Sequence, residues 1–87
     1  MIVSKNVNQC QRAAENGQPT AQYQLGLLYS TGRGVPLDYI SAHKWLNLAA
    51  SKGDEEARRL RAELAHDMSP REIAEAQRQA REWLQTH

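Results

Sequence analysis

The sequence predicts an all-α fold, with antiparallel helix pairs stacked as a short α-solenoid of about five helices, and three observations predict it. Ala, Gln, Glu, Arg and Leu dominate while aromatic residues make up 6% and Phe is absent, a composition that favours helix over pleated sheet. The chain repeats itself: residues 13–17 read AAENG and residues 49–53 read AASKG, a displacement of 36, at which Ala21 and Leu28 recur as Ala57 and Leu64. Glycine and proline divide the chain into five segments with helical apolar spacing. A period of this size with helical composition means stacked helix pairs, since one pair cannot bury its apolar face alone.

The segments follow in order. Val3, Val7, Cys10 and Ala14 lie on one face of a first helix that Gly17 stops in a left-handed cap, so residues 1–17 read as a half-repeat. A second helix runs from about Pro19, suited to a first helical turn, to about Ser30, with Ala21, Leu25, Leu28 and Tyr29 inward until Gly32 and Gly34 break it. The third begins near Asp38 and carries Ala42, Trp45, Leu46 and Ala49 inward before Gly53 ends it, completing one repeat over residues 18–53. Asp54-Glu55-Glu56 places acids at the positive end of a fourth helix, which runs to about His66 with Ala57, Leu60 and Leu64 inward. Ser69-Pro70-Arg71-Glu72 opens the fifth with a capping box, and that helix continues through Ile73, Ala76, Ala80, Trp83 and Leu84. Residues 54–87 thus form a degenerate second repeat, and residues 1–87 a single domain.

Composition narrows the functions available. A formal charge of +1 provides neither the basic footprint of a nucleic-acid binder nor a block for anionic lipid. Cys10 stands alone, which excludes an internal disulfide and suits a reducing compartment. With no secretory signal pattern and no long apolar span, the expectation is a cytoplasmic protein away from membranes. His43, His66 and His87 lack metal-ligand spacing, and Gly32-Arg33-Gly34 lacks the preceding strand that phosphate-binding fingerprints require. No catalytic constellation is present, so no enzymatic activity, metal or cofactor is expected.

From Ala13 to Ala57 the residues stand as Ala13-Ala14, Gly17, Ala21, Leu25-Gly26, Tyr29, Gly32, Gly34-Val35, Asp38, Ala42, Trp45, Ala49-Ala50, Gly53 and Ala57. This spacing resembles the Sel-one-like repeat, a relative of the tetratricopeptide repeat with a longer loop between its helices. The second half departs from the pattern, because only His66-Asp67-Met68-Ser69 follows the fourth helix; Ala80 and Trp83 repeat Ala42 and Trp45 at a displacement of 38. The resemblance implies an adaptor or scaffold that holds a protein or peptide partner.

Helical geometry places Tyr23 and Leu27 opposite the packed face of the second helix. In the related tetratricopeptide solenoids the first helix of each pair lines a concave groove, which implies that Thr20, Tyr23, Gln24 and Leu27 face it. Arg59 and Glu63, 36 residues after Tyr23 and Leu27, would extend it. A self-oligomerising structural unit is the alternative, and one complete repeat with open ends leads us to expect a homodimer.

Overall fold

A computed structural model describes residues 2–87, with side chains described from Val7 onward; the sequence position Val3 lies outside the described side chains. Five helices follow one another: α1 (Ile2–Glu15), α2 (Pro19–Thr31), α3 (Tyr39–Ser51), α4 (Glu55–Ala65) and α5 (Pro70–Thr86), with no strand among the described residues. Local chemistry accounts for the boundaries. Asp38 accepts from the Ser41 amide, Asp54 from the Ala57 amide, and Ser69 and Glu72 close the reciprocal capping box that opens α5. At the C-termini of α1 and α3 the same device appears one repeat apart. Gly17 and Gly53 take φ of +90° and +95°, and the amides of Gln18 and Asp54 donate back to the carbonyls of Ala13 and Ala49. The amides of Gly17 and Gly53 reach Ala14 and Ala50, completing a left-handed stop that a β-carbon would strain.

Helix α3 is the centre of the molecule, packed against α2, α4 and α5, while α1 packs on α2. Two apolar clusters result. Ala14, Ala21, Leu25, Trp45, Leu48, Ala80 and Trp83 join the C-terminal half of α1 to α2, α3 and α5. Ala42, Leu46, Ala49, Ala57, Leu64, Met68 and Ala76 join α3 to α4 and the start of α5. Leu25, Leu46 and Leu48 are fully enclosed, each contributing about 1.5–3 kcal/mol relative to an exposed position. Trp45 and Trp83 meet edge to face, with ring centroids 6.0 Å apart. Close approach of α2 and α3 depends on Gly26, where a β-carbon would sit 2.7 Å from Leu46 Cγ.

Two features differ from the sequence-based expectations. Leu84, which the sequence reading set along α5 with Ile73, Ala76, Ala80 and Trp83, is 53% exposed, because α5 turns Ala76, Ala80 and Trp83 inward and carries Leu84 around to the solvent side. Antiparallel pairing between neighbours also stops at α4: α5 lies along α3, and α4–α5 is not among the main helix contacts. The pair α2–α3 is separated by a loop containing Gly32 and Gly34, whereas only residues 66–69 join α4 to α5. Two polar side chains are also enclosed. Gln22 is fully buried, its Nε2 donating to the Ala14 carbonyl at 3.1 Å, and His43 is 3% exposed.

Candidate protein-docking surface

Helices α2 and α4 open the complete repeat and the degenerate one, and they lie side by side with a groove between them. Tyr23 and Leu27 from α2 face Glu56, Arg59, Leu60 and Glu63 from α4 across a hollow of about 220 Å³. Regular helix geometry produces this line-up. Tyr23 and Leu27 are four residues apart, as are Arg59 and Glu63, so each pair forms one stripe along its helix. The floor is apolar and the α4 rim is charged: Leu27 is 38% exposed, Leu60 is half-buried, and Arg59 holds Glu56 at 3.1 Å.

Of the six residues singled out from sequence, four come together. Tyr23, Leu27, Arg59 and Glu63 line this groove together. Tyr23 does not stand free of the protein, as its assignment opposite the packed face suggested; it is half-buried and packs against the α3–α4 cluster. Thr20 is exposed on α2, outside the residues lining the groove. Gln24 is exposed beside a second, more apolar trough. Glu56 and Leu60 were not singled out, although they stand 36 residues after Thr20 and Gln24; the displacement that selected Arg59 and Glu63 would have found them.

The second trough, of about 610 Å³, is lined by Val7 and Cys10 of α1, Gln24, Leu27 and Leu28 of α2, and Arg33 and Gly34 of the following loop. Cys10 is half-buried there, its Sγ donating to the Ala21 carbonyl at 3.3 Å, and burial pushes its thiol pKa up. That direction favours a packed thiol over an activated nucleophile. Elsewhere, burial and then the Arg61 guanidinium hold His43 below the usual histidine range. Among the described residues no group of three His, Cys, Asp or Glu side chains is placed to hold a metal ion. No described helix is long and apolar enough to cross a membrane.

Repeated helix pairs about a shared core, with grooves opening between successive first helices, define a helical-repeat module of the solenoid class. More narrowly, residues 19–54, which span α2, α3 and the cap that follows, match the Sel1 repeat family. It is also 35% identical over 68 residues to the alginate biosynthesis protein AlgK of Azotobacter vinelandii. That similarity covers 78% of this chain and 15% of the relative, so the chain spans about 15% of the relative's length. Sel1 repeats are non-catalytic modules that generally mediate protein–protein interaction.

Proposed function

We propose that this chain acts as an adaptor, presenting the α2–α4 groove to a segment of a partner protein. The observation that carries the reading is the alignment of Tyr23, Leu27 and Leu60 beneath Arg59 and Glu63 in one open hollow. Such a surface suits a peptide that places an apolar side chain over Leu27 and Leu60, with an acidic group toward Arg59 and a basic group toward Glu63. Apolar contact would supply most of the affinity, while the charges select orientation and suppress wrong partners. The similarity to an alginate biosynthesis protein supports a shared repeat scaffold and no particular substrate. A reducing, cytoplasmic setting fits the single cysteine.

The test is a charge reversal on exposed positions. Photo-crosslinking from position 59 in cells identifies the bound protein, and calorimetry then compares its affinity for the wild type and for the double variant Arg59→Glu, Glu63→Lys. A loss of about tenfold or more with an unchanged circular dichroism spectrum supports the groove. Affinity unchanged within about twofold would remove the groove from consideration.

A further inference from the structure

We infer that the trough between α1 and α2 is a second docking site, which receives a helix of a partner protein carrying the side-chain pattern of α2. The internal repeat identifies the occupant. Advancing Val7, Cys10, Gln24, Leu27 and Leu28 by 36 residues gives His43, Leu46, Leu60, Glu63 and Leu64. Helix α2 occupies the corresponding place beside that second set. Its Gly26 lies against Leu46, and its Tyr23 and Leu27 share a groove with Leu60 and Glu63. Val7 is buried like its counterpart His43, but where Leu46 and Leu64 are buried, Cys10 and Leu28 are only half-buried, and where Leu60 is half-buried, Gln24 is exposed; Leu27 and Glu63 are both exposed.

The composition of the first set strengthens the case. The trough carries Val7 and Leu27 where its repeat-related counterpart carries His43 and Glu63, against a single change the other way, Gln24 in place of Leu60, so it is the more apolar of the two. It is also continuous with the α2–α4 groove through Leu27, which lines both. The smaller Cys10 stands where Leu46 receives Gly26, leaving room for a glycine or alanine at the centre of the incoming helix. Arg33 at one end favours a helix with an acidic side chain there. This is helix-in-groove recognition using the same geometry by which the chain packs on itself.

The probe is a synthetic peptide of residues 18–33, stapled between positions 20 and 24 because an isolated helix of this length is marginal in water. Fluorescence anisotropy should show saturable binding, and saturating peptide should slow the reaction of Cys10 with an aromatic disulfide reagent by about fivefold or more. Gln24→Arg in the protein and Leu25→Asp in the peptide should each weaken binding by about tenfold, while Arg59→Glu in the protein changes it less than about twofold. Circular dichroism checks that the Gln24→Arg protein remains folded. Absence of binding up to about 1 mM peptide, or binding indifferent to Gln24→Arg, overturns the proposal. It is overturned equally if light scattering finds that the chain alone is a dimer which Gln24→Arg dissociates, because a second copy then fills the trough.

Discussion

The complete repeat and the degenerate one that follows it use similar residues to different effect. In α2–α3, Gly26 lets Leu46 reach the neighbouring backbone, and Leu46 is fully buried. In α4–α5, Ala62 stands where Gly26 would recur, and Leu84, 38 residues after Leu46, is 53% exposed. Yet Ala80 and Trp83, the counterparts of Ala42 and Trp45 at the same shift, are both buried. Half of the motif therefore serves attachment to the preceding repeat, and the other half closes a helix pair. Helix α5 keeps the first function and loses the second, and it lies on α3 instead of pairing with α4.

Emptying the site shared by the two repeats should have the largest effect. Trp45→Ala is expected to cost about 3–5 kcal/mol, since Trp45 is 4% exposed and supports Trp83 edge-on. Urea denaturation measures it, and a loss below about 1 kcal/mol would show that the two aromatic rings do not hold the repeats together. Next comes the pair that defines the contrast. Leu46→Ala should cost about 2–5 kcal/mol and Leu84→Ala less than about 0.5 kcal/mol, because only the first leaves a cavity. Similar costs for both would mean that α4 and α5 close as a pair in solution.

Helix spacing provides a smaller effect. Gly26→Ala should destabilise by about 1–3 kcal/mol despite the better helix propensity of alanine, because the new methyl group meets Leu46 at 2.7 Å. Ala62→Leu on exposed α4 should change stability by less than about 0.5 kcal/mol. If Gly26→Ala instead stabilises the protein, Leu46 has room to move and the close approach is not what distinguishes the repeats.

The smallest effect is a pH dependence. His43 is buried, its Nδ1 has no hydrogen-bond partner, and its pKa lies below the ordinary value of 6.5. The unfolded chain therefore binds a proton first as pH falls through 6.5. Stability is highest where both states are neutral and declines toward the lower folded-state pKa. The melting temperature should be lower at pH 5 than at pH 7.5, and His43→Leu should reduce that difference. An equal difference in the variant would assign the pH response to other groups.

The sequence by itself determined the five helices, their caps and the repeat that relates them. These depend on neighbours along the chain: a carboxylate or hydroxyl three residues before an amide, a glycine free to adopt positive φ, and apolar residues at helical spacing. It also brought Tyr23, Leu27, Arg59 and Glu63 onto corresponding faces, because the displacement of 36 relates one helix of the array to the next. Only the tertiary structure decided that Gln22 and His43 are buried, that Leu84 is exposed and that the trough beside Cys10 is open. Those outcomes depend on which helices lie beside a residue. Helical periodicity specifies the direction of a side chain from its own axis, whereas burial depends on what stands opposite it, and packing around α3 fills some directions while leaving others open.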